Sequence, residues 1–184
     1  MSSNKKSFTQ KLALWVAMAA IVVTSAAPSA FAARLYLGNS PDLMKGCPGT
    51  IDVMLDTEGE TVSVVDVLLR YNDSNLTIND VSGASLFPSV MRFSDGIGPG
   101  EFAFTAMTSF MGPFFSGNGR VATMNVDVPL TASGVNLEFD TTYGRDVSAS
   151  LDGENFLDAT TDKSYTFLDR YNADIDGGFC NPDT

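Results

Sequence analysis

Beyond residue 32 the chain runs in period two, and no segment holds a three-four apolar spacing long enough for a substantial helix. Ile51, Val53 and Leu55 alternate with Asp52, Met54 and Asp56; Phe102, Phe104 and Ala106 alternate with Ala103, Thr105 and Met107. Successive side chains of a strand point to opposite faces, so each run describes a strand with one buried side. Ala122, Met124, Val126 and Val128 repeat the pattern, as do Val135, Leu137 and Phe139, then Val147, Ala149 and Leu151, and finally Tyr165 and Phe167. Turn-forming stretches separate the runs: "YNDSN" (71–75), "SDGIGPGE" (94–101), "SGNGR" (116–120), "TASG" (131–134) and "LDGEN" (151–155). Many short strands without intervening helices specify an all-β antiparallel sandwich or barrel. In "TVSVVDVLLRY" (61–71) the apolar phase slips between Val64 and Val65, as a bulge or a change of packing partner requires.

Residues 1–32 follow a different logic. Lys5, Lys6 and Lys11 precede the uncharged run "LALWVAMAAIVV", and Ala30 and Ala32 then form a small-x-small cleavage signal. This is the pattern of an export signal peptide, its apolar run of about a dozen residues being short of the roughly 20 a membrane span needs. The expected organisation is therefore a signal peptide (1–32), a sandwich (33–168) and a short tail (169–184), with the mature protein secreted or at the cell surface and without a membrane span.

Taking the three leader lysines from 11 basic side chains leaves eight against 22 acids, so the formal charge moves from −11 to −14. That charge disfavours nucleic acid and anionic membranes as partners and favours cations. There is no histidine. Ser-His-Asp and Cys-His catalysis, histidine-ligated zinc and the usual general base near neutral pH are thereby excluded. Carboxylate pairs remain, as in Asp56, Glu58 and Glu60 or Asp140 near Asp146, but they fall in polar stretches and read as solvated loop residues rather than a glycosidase pair. The chain is not expected to be an enzyme. Two cysteines, Cys47 and Cys180, stand near opposite ends of the mature chain, and in an oxidising compartment such a pair reads as a disulfide.

The order of motifs resembles a cohesin domain. "CPGTIDVMLDTEGETVSVVDVLLRYNDSNLTINDVSGASLFP" (47–88) is similar to the family's first half, with a glycine before a strand, a loop, and a strand ending in tyrosine plus an Asn/Asp turn. "EFAFTAM", "SGNGRVATMNVDV", "VNLEFD" and "SASLDGENFLDATTDKSYTF" follow its later strands. The resemblance covers about residues 35–168. It implies a jelly-roll-type antiparallel β-sandwich of about nine strands, related in fold to some cellulose-binding modules, whose partner is a dockerin, a calcium-loaded module that attaches enzymes to a scaffold. No contact residue of the family is carried over to this chain.

The tail holds "NADIDGGFCNPDT" (172–184), which matches the start of a calcium loop. Asn172, Asp174 and Asp176 would supply side-chain oxygens, Gly177 the sharp turn, Gly178 a carbonyl and Asp183 the twelfth-position carboxylate, with Phe179 at the apolar eighth position. Calcium is the one cofactor the sequence brings into question. Asn172 stands where Asp is usual, Cys180 takes the ninth position, and no helix follows, so this is not a dockerin.

Two further features bear on partners. "SFMGPFFSG" (109–117) crowds Phe110, Met111, Phe114 and Phe115 around Gly112 and Pro113, as either packed loop residues or an exposed protein-binding patch. Asn72 and Asn75 lie in overlapping sequons and read first as turn residues. Three functions are consistent with these features: a non-catalytic protein–protein interaction module, linked through its family to polysaccharide degradation; a structural subunit that assembles with like subunits; and a polysaccharide-binding module, disfavoured because the mature chain has no tryptophan.

Overall fold

The computed structural model describes residues 33–40, 42–94, 97–142, 147–169 and 180, and backbone pairing arranges twelve strands of these into two facing sheets. In chain order they are β1 (Ala33–Leu37), β2 (Pro48–Asp56), β3 (Val64–Arg70), β4 (Thr77–Gly83), β5 (Ser89–Phe93), β6 (Glu101–Met107), β7 (Asn118–Asp127), β8 (Gly134–Phe139), β9 (Ser148–Leu151), β10 (Glu154–Asn155), β11 (Leu157–Thr161) and β12 (Lys163–Thr166). No helix occurs among the described residues. The first sheet runs β11-β1-β2-β7-β4 and the second β10-β9-β3-β6-β5, with β8 beside the end of β3 and β12 beside β8.

Period-two alternation is realised directly in packing. Ile51, Val53 and Leu55 of β2 are fully buried and oppose Met124 and Ala122 of β7 across the ladder, while Asp52 and Met54 point outward. From the other sheet Val65, Val67 and Leu69 of β3 and Phe102, Phe104 and Ala106 of β6 fill the space between the layers. A fully buried aliphatic or aromatic side chain stabilises a fold by roughly 1.5–3 kcal/mol, and this shared core is what joins the two sheets.

The phase slip at Val64/Val65 is a change of partner. Val62 and Phe115 exchange backbone hydrogen bonds of 2.8 and 2.9 Å. Two residues later the chain enters the β3 ladder, where Val64 to Asp66 pair with β6 on one side and β9 on the other. The connection from β4 to β5 carries the chain from one sheet to the other, through a turn closed by Phe87 N–H donating to the Ala84 carbonyl at 3.0 Å. Only glycine fits at its start, because a Cβ on Gly83 would lie 2.0 Å from the Phe87 carbonyl oxygen.

Two details differ from the sequence-based expectation. The strands number twelve rather than about nine, because the region after Phe139 is broken into short pieces. Asp162 makes one break: its carboxylate accepts the Phe139 N–H at 2.8 Å, and there the chain leaves β11, paired with β1 in the first sheet, for β12, paired with β8 in the second. The β1–β11 pair is also parallel, whereas the remaining strand ladders are antiparallel.

Candidate functional site

The two outer faces of the sandwich differ in chemistry. Outward residues of the first sheet, Met54 apart, are mostly polar and bond one another: Thr123 donates to Asp52 at 2.6 Å, Arg120 lies 3.5 Å from the same carboxylate, Asn79 donates to Asp127 at 2.7 Å and Tyr36 to Asn118 at 2.9 Å. Many of the polar groups of this face thus find partners within it.

The second sheet presents rows set by its register. Val64, Met107 and Ser89 lie side by side across β3, β6 and β5; Asp66, Thr105 and Met91 form the next row; Leu68, Ala103 and Phe93 the third. In the middle row Thr105 Oγ1 donates to Asp66 Oδ1, and from β9 Ser148 Oγ donates to Asp66 Oδ2 at 2.8 Å. Hydroxyls from both neighbouring strands thus fix one carboxylate on the face. In the third row the small Ala103 between Leu68 and Phe93 leaves a dimple of ≈ 260 Å³, lined by these residues with Asp66, Val67, Phe104 and Thr105; Leu68 and Ala103 are themselves buried. Met91 beside it is 53% exposed. Apolar depressions with one oriented polar group are the usual chemistry of a recognition surface.

A second depression of ≈ 440 Å³ opens at the end of the first row, lined by Val64, Met107, Leu151, Phe110 and Phe114 among others. Of the four residues in the apolar loop, Phe110 (100% exposed), Met111 (92%) and Phe114 (44%) face solvent. Phe115 does not: it is buried, its ring 5.4 Å from that of Phe87, because its backbone pairing with Val62 turns the side chain into the core. The exposed patch is therefore Phe110, Met111 and Phe114, without Phe115.

Asp140 corrects a second expectation, since it is buried rather than solvated. Arg70 Nε lies 2.8 Å from its Oδ2, and the Thr142 N–H and hydroxyl donate to its Oδ1 at 2.9 and 2.6 Å. Burial by itself raises the carboxyl pKa, but the Thr142 bonds and the Arg70 charge outweigh it and hold it below the ordinary 3.8. A depressed carboxyl stabilises the fold above its unfolded-state pKa, and that contribution is lost as pH falls below it. Asp140→Asn is expected to cost about 1–2 kcal/mol at pH 7, reduced by the partial exposure of Arg70, in urea titrations. The gap to wild type should close as pH falls from 3.8 through the depressed folded-state pKa of Asp140; a gap that persists once the carboxyl is protonated in the folded state would assign the loss to packing.

The remaining sequence candidates are placed as follows. Cys47 and Cys180 are disulfide-bonded, with Cα atoms 5.4 Å apart. Asn172, Asp174, Asp176, Gly177, Gly178, Phe179 and Asp183 lie outside the described residues, as does Asp146. Among the described residues no group of three or more His, Cys, Asp or Glu side chains is placed to hold a metal. Asp56 caps its own turn, accepting the Glu58 N–H at 3.1 Å. Asn72 accepts from the Ser74 N–H at 3.0 Å, and Asn75 donates to the Gly134 carbonyl at 2.9 Å, both as turn residues. The Asp66 and Ala103 rows escaped the sequence reading, although Leu68 and Ala103, apolar residues in the outward phase of their strands, were their visible signal.

No family model matches the chain, and no curated protein matches it in sequence. Solved structures do match in fold. The cohesin of a Clostridium acetobutylicum cohesin–dockerin complex superposes with a TM-score of 0.62 at 16% identity, over 74% of this chain and 99% of that one. A non-cellulosomal cohesin of the archaeon Archaeoglobus fulgidus gives 0.55 at 16% identity, over 74% and 91%. The third ScaB cohesin of R. flavefaciens, solved with a group 1 dockerin, gives 0.54 at 22% identity, over 74% and 94%. The chain has the β-sandwich fold of cohesin modules.

Proposed function

We propose that this protein is a non-catalytic interaction module that receives a dockerin-like protein module on the outer face of the β9-β3-β6-β5 sheet. The observation that carries this reading is the dimple of Leu68, Ala103 and Phe93 beside the doubly held Asp66 carboxylate, on a fold shared with cohesins solved in complex with dockerins. An apolar side chain of the partner fills the dimple while a hydroxyl or cation meets Asp66, and the opposite, more polar sheet stays in water. In this reading the leader exports the chain, so that the partner is met at the cell surface or in an extracellular assembly. The family link to polysaccharide degradation and the calcium loop at 172–183 belong to the same proposal.

The test is calorimetric titration of the chain, with calcium present, against the dockerins of the Clostridium acetobutylicum and R. flavefaciens complexes. At least one is expected to bind. Ala103→Arg, which fills the dimple and adds an unpaired charge, is expected to weaken that binding by about 100-fold, near 2.7 kcal/mol. Asn125→Lys on the opposite sheet is expected to leave it unchanged. Binding to none of these dockerins together with strong retention on cellulose or chitin would transfer the module to the carbohydrate-binding class, and binding that Ala103→Arg leaves intact would move the site off this face.

A further inference from the structure

The apolar loop at 109–117 lies beside the same sheet, and its exposure is built in rather than incidental. Phe115 is held in the core by Phe87 and by the Val62 pairing, so the loop is pinned at its base while Phe110 and Met111, a few residues earlier, stand 100% and 92% exposed. The ≈ 440 Å³ depression, which Phe110 lines and Met111 does not, has apolar walls from Val64, Met107, Leu151 and Phe114, and its one charged lining residue is Asp152, in the β9–β10 turn. It is continuous with the proposed docking face through Val64. Val64 and Leu68 lie four residues apart on the same strand, about 13 Å along β3, and Asp66, which lines the first depression, stands between them.

Resting on the docking reading, we infer that this loop and depression form a second pocket of the same site, which selects a partner helix by a large apolar side chain flanked by Lys or Arg. Two to three helical turns span about 11–16 Å, so a helix laid along β3 seats apolar residues seven to eleven positions apart in the two depressions. The cation is required by the acidic groups the helix meets, Asp152 at the second pocket and Asp66 at the first, on a chain whose formal charge is −11. A second copy of this chain carries the same charge and is the poorer occupant.

A phage-displayed library on a dockerin scaffold, randomised at its exposed helix positions, is selected on the full chain with calcium present. Selected binders are then titrated against wild type, the double variant Phe110→Ser/Met111→Ser, Asp152→Lys and Ala103→Arg. Binders are expected to carry an apolar residue next to Lys or Arg, and to lose at least tenfold in affinity in both the double variant and Asp152→Lys. The double variant changes exposed positions, so its unfolding midpoint should match wild type; Asp152 has φ +53° in its turn, so Asp152→Asn, which removes the charge and tolerates that backbone, is titrated beside Asp152→Lys and should show the same loss. Loss on Ala103→Arg with full affinity in the double variant and Asp152→Lys would overturn the second pocket and leave the docking reading standing. Indifference to all three substitutions would overturn both. If the wild type elutes as a dimer that the double variant converts to a monomer, the pocket serves a second copy and the inference fails.

Discussion

Phe87→Ala is expected to lower the unfolding free energy by about 4 kcal/mol, within the range of 3–5 kcal/mol for truncating a core phenylalanine. Phe87 is fully buried in the connection that carries the chain from the first sheet to the second. Its ring packs against Phe115 at 5.4 Å with the planes tilted by 56°, an aromatic contact in addition to the area it removes from water. The neighbourhood is poorly able to collapse into the space left behind: Gly83 has the Phe87 backbone against it, and Phe115 is tied by two backbone bonds to Val62. Urea unfolding followed by circular dichroism is the appropriate measurement, since Trp15, the single tryptophan, lies in the proposed leader. A loss under about 1.5 kcal/mol would mean that the connection repacks. The same substitution removes the seat of Phe115 and hence the base of the exposed loop, so binding through Phe110 and Met111 should weaken in the variant even where it remains folded.

What was legible in the sequence follows from what period two can and cannot encode. Alternation says which side chains share a face, and Ile51, Val53, Leu55, Met124 and Leu137 are all buried as their phase requires. It does not say which strand lies alongside, so neither the parallel β1–β11 pair nor the crossing of the sandwich at Asp162 was readable; the latter depends on one carboxylate replacing a ladder bond 23 residues away. The motif order that resembles a cohesin did point to the correct sandwich, with too few strands because the segments after Phe139 are short. The site is less legible for the same reason. "FMGPFF" marked an apolar cluster, but which ring turns inward is decided by Val62, more than fifty residues earlier, and that assigns Phe115 to the core and Phe114 to the surface. Asp140 looks like a loop acid until Arg70 is brought to 2.8 Å. Leu68 and Ala103 are apolar residues in the outward phase of their strands, yet only the β3–β6–β5 register shows that they sit in one row with Phe93 and form a dimple.

Reduction of the Cys47–Cys180 bond is expected to remove up to about 5 kcal/mol of stability, the chain-entropy value for a crosslink of this span. The two residues are separated by 133 positions, so the bond restricts nearly all of the unfolded chain from β2 onward, whereas the folded sandwich has other ties at the same place. The Leu168 N–H donates to the Leu43 carbonyl at 2.8 Å, the Lys45 N–H donates to the Leu168 carbonyl at 3.0 Å, and Lys45 pairs with Asp169 at 2.5 Å. The sheets should therefore persist after reduction, with the loss appearing as a lower urea midpoint rather than as altered circular dichroism. Unreduced peptide mapping should recover the linked pair, and Cys47→Ser/Cys180→Ser should reproduce the effect of reductant; a loss under about 1 kcal/mol in that variant would show that the unfolded chain is already compact enough to make the crosslink redundant. The experiment also separates the bond from the proposed calcium loop around it. If residues 172–183 bind the ion, calcium should raise the melting temperature of the oxidised protein, and the rise should shrink on reduction, because a loop fastened at Cys180 pays less ordering entropy on binding than a free one. A calcium shift absent in both states would leave the tail as an acidic segment held by its disulfide.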